Sequence, residues 1–208
     1  MRHEELDGSG IYRHDRLDNL ASKFADDTGD VPIYAESVWD DVAINVSQVS
    51  LPAASAAEWV TWKTTLRALR FQNAGGEYAH ITMQLPHSYK DGGQVKFHTH
   101  FCHAGTAATS STVVWNLNYT FAGIYEKWPV EVMATSVYTA TATVATDTHC
   151  ISTGKAITGT DIGQSAVFIG RLSRSASDTY AGNVYLQSVD FHFEKDRPGS
   201  DDELPSGL

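Results

Sequence analysis

The sequence has few charged residues and only two cysteines. Asp, Glu, Lys and Arg make up 19% of its 208 residues, below the ~25% that is usual in soluble domains. Thr, Ser, Ala and Gly take their place, as is common in proteins built from strands and turns. Cys102 and Cys150 do not form a Cys-x-x-Cys pair, so we expect two buried or half-buried thiols in a reducing compartment. A disulfide between them would require the two residues to lie close together in the fold.

Basic residues and long apolar runs are also scarce. The net charge is −10, which argues against nucleic acid as a partner, because phosphate binding needs a basic surface. The same charge argues against adsorption to anionic membranes. No apolar run approaches the ~20 residues that span a bilayer, and the first ten residues lack the apolar stretch of a signal peptide. We therefore expect a protein that is made in the cytoplasm and binds neither nucleic acid nor membrane.

The motifs of catalysis are missing as well. No Gly-x-Ser-x-Gly nucleophile elbow occurs, and Gly154-Lys155 lacks both the spacing and the Ser or Thr of a phosphate-binding loop. A glycosidase needs only two acids at a suitable separation, but the carboxylates concentrate at the chain ends and in turns, and no pair stands out. The sequence predicts no catalytic residues and therefore a protein that is not an enzyme.

The most informative stretch runs from Tyr78 to His103 and holds five of the nine histidines. Two segments with period-two alternation of apolar and polar residues, typical of half-buried strands, flank a turn-rich centre. Pro86 breaks the first segment, and Asp91-Gly92-Gly93 supplies residues that suit a turn. We predict a long hairpin in which Leu85 pairs near Val95.

Similar alternation recurs along the chain at intervals of roughly ten to twenty residues and predicts about eight strands. Strands do not alternate with helices, so we predict an all-β fold, an antiparallel β-sandwich of the jelly-roll type with extended N- and C-terminal arms. Its parts are an N-terminal arm (1–32), a body (33–196) and a C-terminal tail (197–208).

One segment of the body leaves two interpretations open. Ser55 to Glu58 matches a helix capping box, and Trp59, Trp62 and Leu66 follow it at helical spacing. The segment is either one short helix or an extended segment that lays two tryptophans on the sheet.

The N-terminal arm is polar but carries apolar side chains at intervals. It is either a disordered tail or an arm that docks on a neighbouring subunit, which its apolar side chains favour. Together with five apolar and aromatic residues of the body, they give our interface candidates: Ile11, Tyr12, Leu17, Leu20, Phe24, Ile33, Tyr34, Trp39, Trp59 and Trp62.

The histidines raise the question of a metal. On a strand, His98, His100 and Cys102 point the same way and could converge on an ion. The predicted hairpin would place His80 opposite His100 as a further ligand.

The spacing of Gly92, His98 and His100 resembles the first motif of the cupins, a family of metal-binding jelly rolls. In that motif a glutamate follows, and here Ala104 and Gly105 stand in its place. A second downstream histidine motif is absent. We therefore expect no metal and no cofactor, and interpret the histidines as part of a polar sheet face or a subunit contact.

Several stretches together resemble a family of virion proteins of tailed bacteriophages. The resemblance spans roughly residues 31 to 200 and rests on IYAESVWDD (33–41), EWVTWK (58–63), MQLPHSYKDGG (83–93), HTH (98–100), VWNLNYTFAGI (114–124) and VDFHFEKDRPGS (189–200). It implies a capsid cement or decoration protein with a β-sandwich body, which often forms trimers and carries no active site.

The resemblance implies that the chain is made in the host cytoplasm and stabilises the virion by bridging subunits on the capsid surface. Its partners would be the major capsid protein and two further copies of itself, as a homotrimer. Two alternatives stay open. One is a head-fibre or tail-associated receptor-binding module that recognises glycans through exposed aromatic side chains, and the other is a cupin-like metalloenzyme.

Overall fold

The computed structural model describes residues 38–73, 75–157 and 162–199. Within these ranges the chain is built almost entirely from strands, joined by turns and one short 3-10 helix (Val46–Gln48). The strands are β1 (Val38–Asn45), β2 (Glu58–Lys63), β3 (Leu66–Phe71), β4 (Tyr78–Gln84), β5 (Val95–His103), β6 (Thr112–Ala122), β7 (Val132–Thr139), β8 (His149–Ile151), β9 (Lys155–Ile157), β10 (Val167–Arg174) and β11 (Val184–Lys195).

The strands form two sheets in which every pairing is antiparallel. The seven-stranded sheet has the order β2-β3-β11-β5-β8, with β1 also paired to β11 and β9 to β5. The four-stranded sheet has the order β4-β10-β6-β7. Because β4, β5 and β6 lie in alternate sheets, the chain crosses the sandwich repeatedly, as in a jelly roll. The predicted all-β antiparallel sandwich is confirmed.

Aromatic side chains fill the space between the two sheets. Phe168 of the four-stranded sheet packs edge-on against Phe191 of the seven-stranded sheet, with ring centroids 4.9 Å apart. Trp115 contacts Phe71 and Phe101 across the same interface at 5.2 and 5.8 Å. Each large apolar side chain contributes ~1.5–3 kcal/mol when fully buried, so this layer holds the sheets together and fixes which strand faces point outward.

The predicted hairpin between residues 78 and 103 is wrong. β4 pairs with β10 in one sheet, whereas β5 pairs with β11 in the other. Alternation identified the buried face of each strand correctly, but it does not specify the neighbouring strand. The two strands bury their apolar faces in the same core from opposite sides, and the connection around the buried Tyr89 carries the chain from one sheet to the other.

Of the two interpretations of the segment that begins at Ser55, the short helix is wrong and the extended segment is confirmed. Residues Glu58–Lys63 form β2, which pairs with β3. Ser55 has φ 56°, a left-handed conformation, whereas a helix N-cap needs an extended one. Trp, Val and Thr in β2 also suit a strand that packs on a sheet.

The described residues cover most of the predicted body and the start of the C-terminal tail. The short strands β8 and β9 account for much of the difference between the expected number of strands and the observed one. Seven interface candidates lie outside the described residues: Ile11, Tyr12, Leu17, Leu20, Phe24, Ile33 and Tyr34. No helix in the described ranges is long and apolar enough to cross a membrane.

Candidate functional site

The outer face of the seven-stranded sheet carries a group of imidazoles around one carboxylate. This histidine cluster consists of His98 and His100 on β5, His149 on β8, and Asp190 and His192 on β11. Asp190 pairs directly with His98 in the β5–β11 register. Phe97, Phe101 and Phe191 point into the core, so strict alternation turns the neighbouring histidines and the aspartate outward.

Three potential metal ligands converge at the centre of the cluster. His98 Nε2 lies 2.9 Å from His100 Nε2. Asp190 Oδ2 lies 3.0 Å from His100 Nε2 and 3.9 Å from His98 Nε2. The three side chains are only 13–20% exposed, so the sheet holds them in place while one side of the group faces solvent.

Two further side chains orient this group. His100 Nδ1 is 2.8 Å from His149 Nε2, and the two rings are stacked with centroids 5.0 Å apart. Ser188 Oγ donates a hydrogen bond of 2.7 Å to Asp190 Oδ1. The second nitrogen of His100 and the second oxygen of Asp190 are therefore engaged, and the remaining atom of each points to the centre.

Burial and neighbouring imidazoles determine the charge of His98. Desolvation lowers its pKa, and the positive charges that His192 and His100 can carry lower it further. The carboxylates of Asp190 and Asp41 act in the opposite direction but do not outweigh these effects. His98 is therefore mostly neutral at pH 7, the form in which an imidazole binds a metal.

The structure brings together only part of the metal set considered from the sequence. His98 and His100 converge as expected, but Cys102 lies further along β5 and is buried, where its Sγ accepts a hydrogen bond from Gln187 Nε2 at 3.8 Å. His80 is not opposite His100, because β4 belongs to the other sheet. Sequence reasoning missed Asp190 as a third ligand. Alternation places its side chain on an outer face of β11, but it does not reveal that β11 pairs with β5.

The three described interface candidates have different surroundings. Trp39 is 45% exposed, and the ammonium of Lys96 lies 4.5 Å from its ring centroid. Trp59 is half-buried and packs against the core. Trp62 is also half-buried, and its indole Nε1 donates to Asp147 Oδ1 at 2.7 Å. Trp39 is thus the described candidate most available to a partner. It lies on the same outer face of the seven-stranded sheet as the histidine cluster.

A second surface feature was not singled out from the sequence as an interface. The connection between β6 and β7 exposes large apolar side chains, with Tyr125 91% and Val130 87% exposed. Trp128 of the same connection and Val132 and Met133 at the start of β7 are each at least 44% exposed. These five residues are called the apolar loop below.

Hydrogen bonds hold the apolar loop in place at its base. Gly123 N–H donates to Glu126 Oε2 at 2.9 Å, and Thr120 Oγ1 donates to the carbonyl of Pro129 at 3.0 Å. Tyr125 has φ 62°, a left-handed turn conformation that few tyrosines adopt. One sequence signal could have revealed this loop: Trp128 is a large apolar side chain that stands among the polar and turn-forming residues between β6 and β7.

Comparison with known proteins gives no family. No protein-family model matches the sequence, and no curated protein matches it either. Among solved structures, the functional form of the mosquito-larvicidal Cry4Aa toxin from Bacillus thuringiensis aligns over 76% of this chain and 24% of its own, at 13% identity and TM-score 0.45. The chain thus spans about a quarter of the toxin's length.

Two carbohydrate-binding modules align as well. The CBM36-1 domain of a multidomain xylanase from the hindgut metagenome of Trinervitermes trinervoides matches 73% of this chain and 96% of its own, at 8% identity and TM-score 0.38. A CBM36 in complex with calcium and xylotriose matches 72% and 98%, at 11% identity and TM-score 0.38. Similarity this low carries no argument about ligand or function.

Proposed function

We propose that this protein is a non-catalytic structural component of a tailed-bacteriophage virion. It is made in the host cytoplasm, binds the outside of the capsid as a homotrimer, and stabilises the shell by bridging subunits of the major capsid protein. The sequence resemblance described above suggests this role, and the observation that carries it in the structure is the apolar loop.

The apolar loop has the composition of a protein-binding surface. Monomeric soluble proteins seldom leave large apolar side chains grouped on the surface unless they bind something there. Aromatic residues and Met are enriched in such interfaces, and the loop contributes Tyr125, Trp128 and Met133. The exposed charged residues Glu126, Lys127 and Glu131 lie between the apolar ones and would form the polar rim that surrounds such a contact. Tyr125 and Val130 are almost fully exposed, so a partner that covered them would remove much of their apolar area from water.

The rest of the body supports a docking role. The loop projects from the paired strands β6 and β7 and is hydrogen-bonded at its base, so ordering it on a partner costs little conformational entropy. A standard contact buries ~800 Å² on each partner. Three copies of a smaller contact, related by trimer symmetry, would act together and bind far more tightly than one.

The test uses capsids assembled without this protein. Purified protein is added, the capsids are sedimented, and the bound protein is measured over a range of concentrations. We expect the full-length protein to bind the capsids saturably. The triple variant Tyr125→Ser, Trp128→Ser, Val130→Ser should bind them at least tenfold more weakly, because each truncation removes contact area at the interface.

The matched control is Leu66→Ser. Leu66 is 59% exposed but lies on the seven-stranded sheet at the start of β3, away from the apolar loop. Its loss should leave binding unchanged. Equal binding by the wild type and the triple variant, with both folded by circular dichroism, would refute docking through this loop. No binding by the wild type would refute the capsid role itself.

A further inference from the structure

The centre of the histidine cluster has the dimensions of a metal site. A tetrahedral ion with bonds of ~2.0 Å to nitrogen and oxygen separates its ligand atoms by ~3.3 Å. The three separations among His98 Nε2, His100 Nε2 and Asp190 Oδ2 are 2.9, 3.0 and 3.9 Å. They lie on both sides of that value, so only small side-chain adjustments would place an ion in contact with all three atoms.

We infer that these three atoms bind one divalent transition-metal ion, for which Zn²⁺ is the probe used below. Two imidazoles and one carboxylate suit Zn²⁺ rather than Ca²⁺ or Mg²⁺, which prefer oxygen ligands. The fourth position faces solvent and is filled by water or by a donor from a bound partner. The site is independent of the proposed capsid role.

Two of the three proposed ligands, His100 and Asp190, have the hydrogen bonds that usually orient a metal ligand. A metal-bound histidine usually donates its other N–H to a neighbouring acceptor, and His100 Nδ1 is placed to donate to His149 Nε2 at 2.8 Å. A metal-bound carboxylate is usually hydrogen-bonded too, and Ser188 Oγ serves Asp190 Oδ1. Both partners leave the central atoms available as ligands.

The ion would join the two central strands of the larger sheet. His98 and His100 lie on β5 and Asp190 lies on β11, about ninety residues further along the chain. Because the ligands come together only when these strands pair, binding energy adds directly to the stability of the folded state. The alternative is a cluster without a metal ion, in which hydrogen bonds alone link the same three atoms.

Zinc titration of the full chain separates these two cases. The protein is stripped with a chelator and titrated with Zn²⁺ at pH 7.5 against a chromophoric competitor, and Co²⁺ is used in parallel for its absorption spectrum. We expect one tightly bound ion per chain, a higher melting temperature with Zn²⁺, and a Co²⁺ spectrum of low coordination number.

Four variants locate the site. Asp190→Asn, which keeps the size of the side chain, and His98→Ala should each weaken Zn²⁺ binding at least a hundredfold. His149→Phe should weaken it by ten- to a hundredfold, as is typical for loss of an orienting partner. His80→Ala, an exposed histidine on β4 in the other sheet, is the control and should bind like the wild type.

Two results would overturn the inference. One is wild-type protein that binds Zn²⁺ no more tightly than Asp190→Asn, with both folded by circular dichroism, which would leave a cluster held by hydrogen bonds only. The other is Zn²⁺ binding that stays as tight in both Asp190→Asn and His98→Ala as in the wild type, which would place the ion elsewhere in the protein.

Discussion

The guanidinium of Arg174 and the carboxylate of Asp178 form a buried ion pair at the end of β10. Arg174 Nε lies 2.5 Å from Asp178 Oδ2, and the two side chains are 1% and 2% exposed. A second bond joins Arg174 Nη2 to Asp178 Oδ1 at 3.1 Å. Arg174 also donates to the carbonyls of Gly182 and Tyr180, so one side chain fixes the course of the whole β10–β11 connection.

We predict that Asp178→Asn destabilises the protein by ~3–5 kcal/mol, because it leaves a buried guanidinium without its counter-charge. Urea unfolding followed by tryptophan fluorescence measures the loss. The control is Glu58→Gln, which removes the ion pair of Glu58 with Arg70 on the surface, where the glutamate is 56% exposed. That change should cost less than ~1 kcal/mol. Similar losses in the two variants would contradict the structural role of Arg174.

Gly170 lies where the sheet has no room for a side chain. A Cβ there would come within 2.6 Å of the Phe168 ring and 3.0 Å of Leu117 Cδ1. The Phe168 ring cannot move away easily, because it packs against Phe191 on the facing sheet.

We therefore predict that Gly170→Ala lowers the free energy of unfolding by ~1–3 kcal/mol through overpacking. Gly154→Ala is the matched control, since nothing lies within 4 Å of the Cβ it would add, and it should be nearly neutral. Thermal unfolding of the two variants checks the comparison. A Gly170→Ala protein as stable as the wild type would show that the Phe168 ring can move to make room for the added methyl group.

His103 is fully buried among the rings of Phe101, Tyr138 and Tyr180. Burial lowers its pKa from 6.5 to about 4, and the positive charge of Arg174 contributes. Its Nε2 has no hydrogen-bond partner, and its Nδ1 lies 3.7 Å from Cys150 Sγ, so neither ring nitrogen has a carboxylate partner that would stabilise the protonated form.

This burial predicts a pH dependence of stability. Between pH 6.5 and pH 4 the unfolded chain takes up a proton at His103 that the folded chain does not, so stability falls as the pH is lowered through this window. The difference between the pKa of His103 in the unfolded and in the folded chain corresponds to ~3 kcal/mol of folding free energy. Above pH 7 the residue is neutral in both states and contributes no slope.

The comparison that checks this is urea unfolding of the wild type and His103→Phe at pH 7 and at pH 5. Carboxylates also titrate in this range, so the quantity of interest is the difference between the two proteins. We expect the wild type to lose more stability than His103→Phe on going to pH 5. The same loss in both would mean that His103 is protonated in the folded state.

The sequence predicted which face of a strand is buried better than it predicted which strands pair with each other. Period-two alternation correctly placed His98 and His100 of β5 on an outward face, although Cys102, predicted on the same face, is buried. It could not reveal that β5 pairs with β11 and not with β4, because pairing between distant strands depends on how apolar faces close over a common core. Asp190 was missed as a partner of the histidines for this reason.

Local patterns failed where tertiary contacts decided the outcome. The capping box before Trp59 suggested a helix as one of two interpretations, but the segment pairs with β3 as a strand and Ser55 has a left-handed conformation. The apolar loop has no periodicity to mark it. Its exposure follows from the position of the β6–β7 connection beyond the edge of the core, which only the assembled sheets determine.

A cryo-electron microscopy map of the intact particle tests the central claim most directly. We predict density for this sandwich on the outer capsid surface, in threefold clusters and in hundreds of copies, with Tyr125 and Val130 in contact with the major capsid protein. A few copies at a fibre or the tail, or clusters in which the apolar loop faces solvent, would contradict the proposed role.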